Sequence, residues 1–504
     1  MKKLDIFNTI QSGLAVIILT LLSLLPCVRV SAQGVQSAQY QIPSQKGDNV
    51  VVRESTAGRP VISYRSSLGA RFAYGYIDVN DVRQFAIGDT ATYARNTISY
   101  KINDMRVVGN MCYFCGVRRY IYADPDPETG ETVVDSVGIV GRFRLSPLGF
   151  YQSHKYHLKH VHETKSLDRM VAYAHDGDTV IAMIGIVDNP ASESCVTVAR
   201  VTTTDPWKYY VKYTDNSVVE EVFTDIAVDS RNVTIASYHR NVAGKGYFNL
   251  RVADKGSVKN ITSTDFDIRY KYAQSPSALS GLCYSLDRPD YAAVHLCAAS
   301  GDSKVYAAYA CCVDNIVPVY PTALCAIETN SKNLLNTQIV QKTYLTPHTL
   351  VDMEYIGGST GTGIPASVAL LHRTGGLYQT VVEYPYANIG SYVVMRALVQ
   401  KMTDNVLGSV SVYGGADIRF GGVWSPALNR LTYLQELLPS LADEDLCLPN
   451  HDAGIVTIDE PLSPQNESSM LWYKTTQMES LNWGHKTAVS SKVNVETKCK
   501  YDKD

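Results

Sequence analysis

Short apolar runs, cut by Gly, Asn, Asp and Ser, follow one another along most of this chain. The stretch Asp104–Arg144 shows the unit. It opens with an acid and an apolar run, Asp104-Met105-Arg106-Val107-Val108, and continues with Met111-Cys112-Tyr113-Phe114-Cys115-Gly116. A polar tip, Asp124-Pro125-Asp126-Pro127-Glu128-Thr129-Gly130-Glu131, leads to a third run, Val137–Arg144. Acid-led openings of this kind recur at Asp104, Asp168, Asp225, Asp290, Asp352 and Asp417, at steps of 57 to 65 residues. A near-constant step over most of a chain marks stacked copies of one supersecondary unit.

Each opening is followed by a second run: Met111–Gly116, Thr179–Gly185, Val233–Tyr238, Val305–Ala310, Ser367–His372 and Leu431–Gln435. A third follows in turn: Val137–Arg144, Cys195–Val201, Tyr247–Val252, Leu324–Glu328, Thr380–Tyr384 and Gly454–Ile458. Val, Ile, Tyr and Thr dominate the runs, and turn residues separate them, so they predict strands. The longest helix-like stretch, Leu428–Leu446, is broken by Pro439. Units of this size are too short to stand as β-sandwich domains, which run near 100 residues. Packed around an axis, they would leave only short, protected sheet edges. The expectation is an all-β chain, a β-propeller of seven blades, with six or eight also compatible. Domain boundaries are expected at 1–32 for a signal peptide, 33–58 for a flexible leading segment and 59–500 for the propeller. The segment Val61–Ile87 and the tail Ser468–Val495 are expected to pair and close the ring.

In this layout residues 60–500 resemble the broad superfamily of secreted bacterial β-propellers. The Gly-His and Trp-Asp pairs of WD40 repeats are absent, as are the Ser-x-Asp-x-Gly-x-Thr-Trp boxes of sialidases. The resemblance therefore implies a scaffold and brings no particular activity with it.

Charge and composition narrow the reading further. Lys+Arg 46 against Asp+Glu 49 leaves a net charge of -3, with no broad basic field for nucleic acid. Tyr 34 against Phe 10 suits half-exposed strands, since the ring packs while the hydroxyl stays wet. Lys2 and Lys3, the apolar Leu14–Leu25 and the small Val30-Ser31-Ala32 before Gln33 form a secretory leader. Its apolar run is too short to span a bilayer, and no transmembrane segment is expected after cleavage. Export to the periplasm, outer surface or medium follows, and an oxidising compartment permits disulfides. Cys447 with Cys499 is the pair expected to pin the tail.

The six opening aspartates sit where the innermost strand of each blade would begin. They could ring a central funnel and bind a cation or sugar, or supply an acid/base pair for glycoside hydrolysis. They could equally serve the fold by accepting backbone N–H bonds between blades. The run Ser153–Glu163 carries four histidines. His157, His160 and His162 are its candidate metal ligands, although alternation along a strand puts only His160 and His162 on one face. Gly357-Gly358-Ser359-Thr360-Gly361 matches the hydrolase elbow but lacks the following helix that the chemistry needs. Cys112 and Cys115 lie within a β run, facing opposite ways and too far apart for a mutual disulfide. No cofactor is expected beyond a structural calcium ion, for which the Asp124–Glu131 tip has the acid density but not the EF-hand order. The sequence thus points to an exported, non-catalytic propeller binding a protein or glycan, with a glycan-active hydrolase or lyase as the alternative.

Overall fold

A computed structural model describes the strands named below and a few short turns between residues 35 and 500. The described turns include 109–110, 146–147, 176–177, 229–231, 301–303 and 329–330. Residues 1–34, 501–504 and most longer connections lie outside the described residues.

The chain begins with β1 (Val35–Glu54), β2 (Pro60–Ser66), β3 (Phe72–Ile77) and β4 (Val82–Asp89). Five quartets follow. They are β5 (Thr97–Val108), β6 (Met111–Ile121), β7 (Val134–Leu145) and β8 (Leu148–Leu158); then β9 (Thr164–His175), β10 (Asp178–Val187), β11 (Ser194–Val201) and β12 (Lys208–Tyr213). Next come β13 (Glu220–Val228), β14 (Asn232–Arg240), β15 (Gly246–Asp254) and β16 (Arg269–Tyr272), with one short helix, α1 (Lys255–Lys259), after β15. The fourth is β17 (Val294–Ala298), β18 (Lys304–Ala310), β19 (Thr322–Glu328) and β20 (Asn333–Val340). A fifth is β21 (His348–Ile356), β22 (Ser367–Thr374), β23 (Gln379–Tyr384) and β24 (Ala397–Thr403). The triplet β25 (Asn405–Tyr413), β26 (Asp417–Trp424) and β27 (Arg430–Leu437) precedes a tail of short strands. These are β28 (His451–Ala453), β29 (Ile455–Ile458), β30 (Pro464–Glu467), β31 (Leu471–Tyr473), β32 (Thr476–Ser480), β33 (Gly484–Lys492) and β34 (Asn494–Lys500).

Among the described residues each quartet from β5 to β24 is an antiparallel sheet in chain order, with one tail strand added at its last member. β1 pairs with different strands at its two ends. Residues 47–54 pair with β2, and Ser37–Lys46 pairs with β27. The first strands of successive groups lie against one another: β1 on β5, β5 on β9, β9 on β13, β13 on β17, β17 on β21, β21 on β25 and β25 on β1. Small antiparallel sheets stacked this way make an all-β propeller architecture.

The core lies between sheets, not within one. Cys112 and Phe114 of β6 pack with Val61, Tyr74 and Phe143 toward the β1–β4 strands, while Tyr113 and Cys115 pack with Met170, Ile181 and Met183 of the next sheet. On β10, Ile181 and Met183 face back and Val180, Ala182 and Ile184 face forward onto Phe223, Ile226 and Ile235. A strand buried on both faces needs a continuous apolar run, which is how β10 reads.

The first strand of several groups carries a bulge: between Ile102 and Asp104, across Asp168, between Phe223 and Asp225, between Leu350 and Asp352, and between Leu407 and Ser409. The bulge pushes a carbonyl toward the second strand. A Cβ on Gly116 would stand 2.0 Å from the Lys101 carbonyl oxygen, and one on Gly185 2.0 Å from that of Ser166. Gly116→Ala and Gly185→Ala are therefore expected to cost about 1–3 kcal/mol each through forced backbone displacement. Denaturant midpoints unchanged from the parent would contradict that role.

The structure corrects several expectations. Segment 33–58 was expected to be flexible, yet it carries β1, held by backbone bonds to β27, β2 and β34. Asp417 opens β26, a second strand, because β25 stands before it without an acid. Leu431–Gln435 accordingly lies in the third strand, β27, and 454–458 supplies β29 at the outer edge of the β17–β20 sheet. The tail does meet the N-terminal strands, with β33 paired to β4, but as an added outer strand.

Candidate functional site

The charged side chains of the first strands form a buried cluster where those strands converge. Asp104, fully buried on β5, takes two backbone N–H bonds: Met105 at 2.8 Å to Oδ1 and Met170 of the next sheet at 3.0 Å to Oδ2. Asp225 does the same with Ile226 at 2.8 Å and Leu296 at 2.9 Å. Asp352 accepts from Val410 N–H at 3.0 Å. On β25 the position belongs to Ser409, whose Oγ accepts from Val52 N–H at 2.9 Å. Each of these side chains ties its strand to the first strand of the next group. Asn103, Thr224 and Asn49 add bonds to the carbonyls of Leu167, Val294 and Ile102.

Three arginines complete the cluster. Arg53 of β1 reaches Asp104 at 2.6 Å and Asp352 at 3.5 Å, and also donates to the Val410 carbonyl at 3.2 Å. Arg106 meets Asp104 at 2.8 Å. Arg169, on β9, stands at the register position that Asp104 holds on β5. It crosses to β21, where it contacts Asp352 Oδ1 at 3.2 Å and the Val351 carbonyl at 2.9 Å. β13 and β17 lie between these two strands in chain order, so the guanidinium bridges the space that the first strands enclose.

The electrostatics follow from this geometry. Burial works against ionisation of Asp104, but Arg106, Arg53 and Arg169 outweigh it and hold the carboxyl below its ordinary value. Asp225 is also held low: burial opposes the charge, and His295, with Nδ1 at 3.5 Å, and Arg169 overcome it. Asp168 goes the other way, raised by burial despite the Ser166 hydroxyl at 3.2 Å. Glu354 is pushed up to about 7, first by burial and then by Asp352 and Asp104, against the pull of Arg106 and Arg53. It is the carboxyl of the cluster poised to exchange a proton near neutrality.

Of the expected funnel acids, the structure brings Asp104, Asp225 and Asp352 together with Asp168 nearby. Asp417 is on a second strand, and Asp290 lies outside the described residues, as do Ser359, His160, His162 and Cys447. His157 is on β8, opposite Gln477. Cys499 is on β34, opposite Ser37. Cys112 and Cys115 are buried free thiols on opposite faces of β6, and burial pushes both well above the ordinary thiol value. At the Asp124–Glu131 tip, Asp126 Oδ1 accepts from Glu128 and Thr129 N–H at 2.8 and 2.9 Å, which makes it a turn stabiliser. Arg53, Arg106, Arg169, Glu354 and Ser409 were not anticipated. The signal available for the first four was a charge directly beside an apolar residue of a strand-like run; Ser409 left none.

No family model matches the chain, and no curated protein matches it. Among solved structures, the WD40 domain of SCAP from fission yeast is similar over 86% of this chain and 94% of that one, at 9% identity and a TM-score of 0.33. Likeness that loose adds no argument, and the fold rests on the strand pairing. No helix among the described residues is long and apolar enough to cross a membrane.

Proposed function

We propose that this chain is an exported, non-catalytic β-propeller of seven blades, closed by its N- and C-terminal strands, that binds a protein or glycan at the cell envelope or exterior. The observation that carries the binding reading is the use of the repeated acids. Asp104, Asp225 and Asp352 are engaged by backbone N–H groups of neighbouring first strands, and Arg53 and Arg169 occupy both oxygens of Asp352. Such acids hold blades together, which leaves recognition to the faces of the ring. The blade count is supported by seven first strands in cyclic contact and by β1 pairing with both β27 and β2. Export is supported by the leader Lys2–Ala32.

One observation favours a second reading, a glycan-active hydrolase or lyase. Glu354, held near neutrality beside the ionised Asp104, has the unequal environment that a general acid needs. One experiment separates the two. The mature chain, residues 33–504, and its Glu354→Gln variant are incubated with a panel of polysaccharides and of proteins from the envelope. Saturable binding, equal in both and without new reducing ends, is the expected result. Reducing-end release that disappears in the variant would replace the binding reading with the enzymatic one.

A further inference from the structure

The tail strands share one placement. β28 pairs with β24, β29 with β20, β30 with β16, β31 with β12, β32 with β8, β33 with β4 and β34 with the first half of β1. The tail therefore runs back past the sheets in reverse chain order and adds the outermost strand to each. Among the described residues each strand from β28 to β33 is terminal in its sheet, with a strand partner on one side. β28 to β32 are only three to five residues long. Short edge strands limit pairing with foreign chains, but they also hold weakly one by one.

We propose that His451–Lys500 is a separable clasp: it opens as one unit ahead of the sheets it borders, and the edges it uncovers accept the same segment from a second copy of this chain. The unit behaviour follows from the links. Between one and five residues join successive tail strands, as from Ala453 to Ile455 or from Ile458 to Pro464. A released strand drags its neighbours, because so few residues span little distance. The choice of partner follows from the order. Seven strands must meet seven edges in reverse sequence with these link lengths, and a second copy of this chain carries that arrangement. Exchange of an identical element between copies has a low energetic cost, since every pairing is re-formed.

The test uses the full mature chain with a specific protease site placed in 438–450. First, hydrogen exchange on the intact protein should show the amides of 451–500 opening together and before those of β6, β10, β14 and β22. Exchange of the tail strand by strand, or only with those inner strands, would overturn the unit. Second, an affinity-tagged light chain and an untagged heavy-isotope chain are mixed in equal amounts, incubated and then cleaved. About half of the tagged bodies should retain a heavy 451–504 fragment. Finding only light fragments on tagged bodies, or loss of the fragment on cleavage, would sink the proposal.

Discussion

Arg53→Met is expected to lower the free energy of unfolding by about 3 kcal/mol, because it takes from two buried carboxylates the cation they share and leaves Arg106 alone on Asp104 and Arg169 alone on Asp352. Asp104 is fully buried and holds Arg53 at 2.6 Å; Asp352, on the far side of the guanidinium, stands at 3.5 Å. Methionine would replace much of the arginine's bulk, so the loss reads the charge rather than a cavity. A double-variant cycle makes the cause specific. Asp104→Asn in the Arg53→Met background should restore part of the loss, since the carboxylate that lost one of its cations is gone. Denaturant midpoints within about 0.5 kcal/mol of the parent would show that the cluster contributes nothing to stability. The effect is large for one side chain because Arg53 belongs to β1, which also carries the pairing to β27 at its other end.

The second large effect is on pH dependence. Glu354 moves from 4.5 when unfolded to about 7 in the fold, because burial disfavours its charge. The folded state therefore holds a proton that the unfolded state has released between those values. Stability from this group is full below pH 4.5 and is lost as pH rises to about 7, a change of about 3 kcal/mol. Glu354→Gln keeps the shape and removes the proton equilibrium. The variant should match the parent near pH 4.5 and exceed it by about 3 kcal/mol above pH 7. Asp104 and Asp225 are held low and produce the opposite slope at more acid pH, but they do so in both proteins, so the difference isolates Glu354. Parallel curves for parent and variant would place Glu354 in water instead of the cluster.

How much of this was legible depended on where each signal lay. β6, β10 and β22 were readable because burial on both faces leaves long apolar runs that no turn interrupts. The opening acids were readable as a repeat, and their structural use, accepting N–H bonds between neighbouring strands, is what the geometry bears out for Asp104, Asp225 and Asp352. The triplet β25–β27 was misframed because Ser409 does on β25 what an aspartate does elsewhere; a pattern of acids passes over a hydroxyl making the same bond. Leading residues 33–58 looked featureless because their polar, irregular composition hides a strand whose pairing to β2 and β27 runs through backbone groups.

The sequence by itself determined that the chain is made of repeated β units. Alternating runs and turns are local properties, and their period survives in the order of residues. Only the tertiary structure decided which edge each tail strand joins, and that Arg169 on β9 meets Asp352 on β21. Pairing between strands hundreds of residues apart depends on backbone groups that every residue carries, so it leaves no mark in composition. The raised proton affinity of Glu354 belongs to the same class: it comes first from burial, which the packing of other strands creates, and then from Asp352 and Asp104.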